Sequence, residues 1–184
     1  MLLKNKFSIN NKIYLITFFT LYLLMFFQRE FIFFRDYSII FEGAYRIYLG
    51  QIPFNDFGIP TGPVSFLFPA LMFKVFEPTW DILILSQIFL NFFLVLIFYG
   101  ILKKLKLNEF IILGSVFVFI FFYLIFLTHP WYNTTALLLL FCTLRLALNS
   151  KKTYSLMTGI LCCLTLLTKQ DFGLTSIALS ILII

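Results

Sequence analysis

Four groups of residues in this chain carry side chains able to do chemistry. The first is Asp36, placed directly after a long apolar run. The second is the stretch Pro53-Phe54-Asn55-Asp56-Phe57-Gly58-Ile59-Pro60-Thr61-Gly62-Pro63, and the third is Lys169-Gln170-Asp171-Phe172-Gly173. The fourth is His129-Pro130-Trp131-Tyr132-Asn133, which holds the chain's single histidine. A carboxylate at a membrane exit suits a general base that takes a proton from an acceptor hydroxyl. A lysine at the same depth suits a lipid phosphate, whose charge it neutralises as the phosphate leaves. Each also has a plainer reading. Asp36 beside Arg35 can be an interfacial charge, Lys169 and Asp171 ordinary loop charges, and Asp56 a turn cap. His129 before a proline reads as an interfacial polar residue, and Trp131 and Tyr132 as members of an aromatic belt. The sequence holds no Gly-rich phosphate loop, no metal-ligand cluster and no Ser-His-Asp set.

The elements that must position these residues belong to a membrane protein. Apolar residues are 61% of the chain and charged ones 12%, about half the charged share of a soluble domain. A surface that apolar cannot stay wet, whereas helices in a bilayer satisfy their own backbone. The net charge of +6 does not point to nucleic acid, because the basic residues fall in short clusters between apolar runs. Lys4, Lys6 and Lys12 precede the first run, Lys103, Lys104 and Lys106 follow a later one, and Lys151 and Lys152 another. Cytoplasmic loops show this pattern. Cys142, Cys162 and Cys163 lie inside apolar runs and read as small core hydrophobes.

The first run, Ile13 to Phe34, reaches about 33 Å as a helix and is too long for a signal-peptide core. Gln28, Arg29 and Glu30 interrupt it near its outer end. From Tyr37 to Leu49 the spacing predicts an amphipathic surface helix. Tyr37, Ile40, Phe41, Ala44, Ile47 and Tyr48 share one face, and Ser38, Glu42, Tyr45 and Arg46 the other, with Glu42 and Arg46 an i,i+4 pair. Gly50 ends it, and the Pro- and Gly-rich loop follows. Pro63 to Phe76 covers only about 21 Å as a helix and reads as re-entrant or interfacial. Runs at Asp81–Leu102, Phe110–Leu127, Trp131–Leu148 and Tyr154–Thr168 follow, with another starting near Phe172.

If Pro63–Phe76 does not cross, every lysine cluster falls inside. Asp36, Glu42, Asp56, Glu77, Asp81, His129 and Asp171 then fall outside. If it does cross, two lysine clusters move outside, against the charge rule. The expected architecture is therefore all-α: a polytopic bundle, residues 1–184 forming one membrane domain with its polar site on the non-cytoplasmic face. Because the chain stops inside an apolar run, it is expected to be the N-terminal part of a longer protein.

The order of these elements resembles the GT-C membrane glycosyltransferases of the bacterial family 39 type, relatives of the protein O-mannosyltransferases and aminoarabinose transferases. The matching residues are Asp36, then Gly50-Gln51-Ile52-Pro53-Phe54-Asn55-Asp56-Phe57, then Gly62-Pro63-Val64 and Lys103-Lys104. Gly159 then leads through Leu166-Leu167-Thr168 to Lys169-Gln170-Asp171-Phe172-Gly173. The resemblance implies an inverting transfer of a sugar from a polyprenyl-phosphate donor to a lipid, glycan or protein acceptor outside the membrane of a bacterial cell envelope. Asp36 would be the catalytic acidic residue. Several relatives have an Asp-Glu pair where this chain has Asp36-Tyr37, and the aminoarabinose type has Lys-Pro-Pro where this chain has Thr61-Gly62-Pro63. Lys169 or Arg46 is left to hold the lipid phosphate. Glu42, Asp56, His129, Asn133, Gln170 and Asp171 are the acceptor-binding or site-shaping candidates. No metal ligand is assigned, and a divalent cation is the one cofactor left open. The alternatives are a non-catalytic GT-C-like module that binds lipid or a partner protein, and a polysaccharide flippase or polymerase.

Overall fold

The computed structural model describes residues 13, 16–17, 20–21, 23, 35–124, 131–148 and 152–183, with side chains at all of these except 35–37, 123–124 and 152–155. His129, Lys151, the N-terminal lysines and the polar break at residues 28–30 lie outside them. The described residues are all-helical, with no strand among them: α1 (Arg35–Tyr48), α2 (Val64–Val75), α3 (Trp80–Lys104), α4 (Glu109–Phe119), α5 (Tyr132–Ala147), α6 (Lys152–Leu166) and α7 (Gln170–Ile183). A π-helical turn, Ile120–Leu124, extends α4.

Local chemistry explains the helix ends. The Thr79 hydroxyl accepts the Ile82 N–H at the start of α3, and Asn108 accepts the Phe110 N–H at the start of α4. Both satisfy orphan donors of a first turn. Asp81 sits in the first turn of α3 and Lys103 and Lys104 in its last, each with the favourable sign for the helix dipole. The described part of α1 runs from Arg35 and takes in the segment expected to be helical from Tyr37. Asp36 therefore lies on the backbone of α1. Gly50 ends the segment with φ of 87°, a backbone setting that glycine adopts at little cost.

The apolar face of α1 follows its spacing. Ile40 and Ala44 are buried, while Ser38, Glu42 and Tyr45 are exposed. That face is expected to lie on a membrane surface, but α2 covers it: Ile40 and Ala44 form one core with Phe66, Ala70, Phe73 and Leu83. Twelve residues of α2 reach about 18 Å, against roughly 30 Å for a hydrocarbon core.

Contacts along α3 and α5 set the level of everything else. Gln87 bonds Thr134 near the start of both helices, and Lys104 bonds Arg145 near the end of both, so the two run parallel. On α4, Ile112 and Val116 join the core of Val95, Tyr99 and Leu102, and Leu21 from the N-terminal run is buried in the same core. The α6–α7 pair closes a hairpin along which Cys162 touches Ser176 and Ser180. The start of α2 lies beside the α6–α7 turn, since Gly62 bonds Thr168. Its far end leads into Trp80, whose ring stacks on Phe41 of α1 at 4.4 Å. Both ends of α2 thus sit at one end of the bundle. Among the described residues, α3 is the one helix long and apolar enough to cross a membrane; α2, α5, α7, α4 with most of its π-helical turn, and part of α6 are shorter apolar helices.

Candidate functional site

The α6–α7 turn and the loop after α1 meet. Gly62 N donates to the Thr168 carbonyl at 3.1 Å, and a Cβ at position 62 would collide with the Leu167 carbonyl. Glycine is what allows the two backbones to approach this closely. The Ser65 hydroxyl donates to the Gly62 carbonyl at 2.9 Å and fixes the loop to the first turn of α2. Between loop and turn lies a cleft of about 610 Å³, with Phe54, Thr61, Tyr132, Lys169, Gln170 and Asp171 on its walls.

Lys169 is the cation of this cleft. Its ammonium lies 3.1 Å from Asp171 Oδ2, 5.6 Å from the Tyr132 ring centroid and 5.2 Å from that of Phe172. Asp171 stands ahead of the apolar part of α7. Partial desolvation pushes its carboxyl up, but the Lys169 hydrogen bond, the Phe172 N–H and the Lys169 charge together outweigh that and hold it below the usual range. Thr61 also lines the cleft, and its hydroxyl oxygen is buried without a hydrogen-bond partner. An ammonium and an aromatic face around one cleft can hold a phosphate joined to an amphipathic group.

The other expected site residues divide. Gln170 and Asp171 line the cleft. Glu42, Arg46 and Asp56 do not, and form a second group. Arg46 donates to Glu42 Oε1 from Nε at 2.9 Å and from Nη2 at 2.7 Å and lies 5.4 Å from the Phe57 ring centroid. Asp56 accepts the Ile52 N–H at 2.7 Å and the Asn55 amide at 2.7 Å, so its carboxylate closes its own loop. The loop joins the groups, with Phe54 in the cleft and Phe57 under Arg46. Asn133 is half-buried beside Tyr132, lines no part of the cleft, and leaves Oδ1 without a partner. The backbone of Asp36 is helical, within α1, and His129 is outside the described residues.

Two features escape the sequence reading. Tyr132, which reads in sequence as an aromatic-belt residue, walls the cleft. Between α3 and α5, Gln87 Nε2 donates to Asn91 Oδ1 at 3.0 Å and to Thr134 Oγ1 at 2.9 Å, all three buried. The signal for that network is an i,i+4 amide pair on an otherwise apolar helix. Among the described residues no three His, Cys, Asp or Glu side chains gather closely enough to hold a metal ion. No protein-family model, no curated protein and no solved structure matches this chain.

Proposed function

We propose that the chain belongs to a multi-pass membrane glycosyltransferase that takes a sugar from a polyprenyl-phosphate donor on the non-cytoplasmic face. The observation that carries this reading is the cleft. The Thr61–Pro63 loop and the Lys169 turn, far apart in sequence, share one wall-to-wall site, at the end of the bundle where both ends of α2 lie. The charge distribution supports it: Lys103, Lys104, Lys106 and Arg145 occupy the opposite end, as cytoplasmic ends do.

In this mechanism Asp36 takes the proton of the acceptor hydroxyl. The hydroxyl oxygen attacks the anomeric carbon, the bond from that carbon to the phosphate oxygen breaks with inversion, and the polyprenyl phosphate leaves with the bonding electrons. Lys169 balances the charge that grows on the phosphate. Arg46 stays with Glu42 and shapes the loop through Phe57. In proteoliposomes holding the full encoded protein and a polyprenyl-phosphate sugar, Asp36→Asn lowers turnover by about 10²-fold or more, as loss of a general base does. Wild-type turnover in that variant removes Asp36 from the role.

A non-catalytic lipid-binding module is the second reading. Lys169 and Arg46 already carry carboxylate partners, which suits a resting binding site as well as an enzyme. Donor binding without sugar transfer by the wild type selects that reading. A flippase would place ionisable groups midway through the bundle, whereas the buried network between α3 and α5 consists of the neutral Gln87, Asn91 and Thr134.

A further inference from the structure

At the end of the bundle away from the cleft, α3 closes with Lys103 and Lys104, Lys106 follows, and α5 carries Arg145 in its last turn. Holding like charges together is unfavourable unless something neutralises them. The fold nevertheless brings Lys104 and Arg145 together. Lys104 Nζ donates to the Arg145 carbonyl at 2.9 Å. The Arg145 guanidinium lies against Gly100, where a Cβ would collide with it, so the missing side chain at position 100 is the notch that seats it. The Lys103 ammonium lies 5.2 Å from the Tyr99 ring centroid, which orders a third cation beside the pair. Among the described residues none of the four cations has a carboxylate within ion-pair distance. Close in sequence, Leu105, Leu107, Phe110 and Ile111 are exposed large apolar side chains, interleaved with the exposed Lys106, Asn108 and Glu109.

We propose that Lys104 and Arg145, at the Gly100 notch between α3 and α5, bind the phosphate of an anionic phospholipid in the cytoplasmic leaflet. Arginine presents a planar fork that matches phosphate oxygens, and lysine adds a point charge. Lys103 and Lys106 strengthen the local field. The source is a lipid rather than free phosphate because the exposed Leu105, Leu107, Phe110 and Ile111 give acyl chains an apolar seat next to the cations. This inference rests on the membrane placement proposed above and is independent of the transfer reaction.

The test uses the full encoded protein extracted from membranes in a neutral detergent, with retained lipid counted by native mass spectrometry. Phosphatidylglycerol is expected to be retained about tenfold over phosphatidylcholine at equal mole fraction. That preference falls as salt rises, drops to parity in the Lys104→Gln/Arg145→Gln double variant, and persists in a variant of the exposed Lys74 on α2, Lys74→Gln. Millimolar inorganic phosphate leaves the lipid in place. Should the double variant fail to fold, the salt titration of the wild type decides alone. Parity in the wild type, a salt-independent preference, or an unchanged preference in a folded double variant overturns the lipid site. Displacement by inorganic phosphate also overturns it, by reducing it to a phosphate site. Recovery of the protein in the aqueous fraction without detergent overturns the membrane reading as well, so the two failures are distinguishable.

Discussion

Lys169 is held from three sides before any ligand arrives, by the Asp171 carboxylate and by the rings of Tyr132 and Phe172. A phosphate entering the cleft has to compete with Asp171 for the ammonium. Asp171→Asn removes the competitor, so the apparent affinity for a polyprenyl phosphate is expected to rise several-fold, read as a lower KM or a tighter titration. A weaker affinity would mean that Asp171 itself touches the ligand. The pH dependence follows the same pair. Because the Asp171 carboxyl is held below its ordinary value, about 3.9, the pair is fully present above that value and is lost only as pH falls through the lower, folded one. Activity near neutrality therefore carries no titration from this group. Deeper in the bundle, both hydrogens of Gln87 Nε2 are in use, and Thr134→Val strands one of them. The expected cost is about 1–3 kcal/mol, seen as a lower melting temperature in detergent, while a melting point equal to wild type would show that Thr134 is not that hydrogen's essential partner. At this scale the sequence is only partly readable. Lys169, Gln170 and Asp171 can be grouped because they share one turn. Asp56 cannot be sorted from spacing, since a carboxylate that caps its own loop and one that meets a substrate look alike until its partners, Ile52 N–H and the Asn55 amide, are seen.

Elements were more legible than side-chain roles. Most helix bounds fall within a few residues of the apolar runs, because Thr79 and Asn108 cap where the runs begin and charged or glycine residues stand where they end. Helix α1 shows what periodicity leaves open. Its apolar stripe is plain in the sequence, but a stripe says only that something covers it, and here α2 does so through Phe66, Ala70 and Phe73. Nor could spacing join the loop at Gly62 to the turn at Thr168, a contact made by backbone groups alone. Gly62→Ala tests that joint. The added methyl meets a backbone carbonyl rather than a flexible side chain, so loop and turn must part. The expected results are a loss of about 1–3 kcal/mol of stability and donor affinity at least several-fold weaker. Gly58→Ala, with nothing close to its added methyl, should stay within about 0.5 kcal/mol of wild type. Equal behaviour of the two variants would show that the cleft does not depend on this close approach.

For the molecule as a whole, the decisive question is which way the bundle faces. Parallel α3 and α5 carry Lys103, Lys104, Lys106 and Arg145 to one end. The cleft, α1 and both ends of α2 occupy the other, together with the carboxylates of Glu42, Asp56, Glu77, Asp81 and Asp171. Cytoplasmic loops collect lysine and arginine, so the basic end should face the cytoplasm and the cleft the outside. Alkaline phosphatase, which folds to an active form only after export, reads this directly when fused at two points of the chain. A fusion after Glu77 should be active, because α2 returns to the side on which it began. One after Lys104 should be inactive, because α3 has by then crossed. If α2 crossed instead, the pattern would reverse: the fusion after Glu77 would fall silent and the one after Lys104 would be active. The basic end would then lie outside, without the anionic leaflet proposed for Lys104 and Arg145. The two ends of α2 would also have to lie on opposite faces, although Gly62 bonds the α6–α7 turn and Trp80 stacks on α1 at the same end of the bundle. A single pair of fusions therefore bears on the placement of the cleft, the lipid site and the short helix at once.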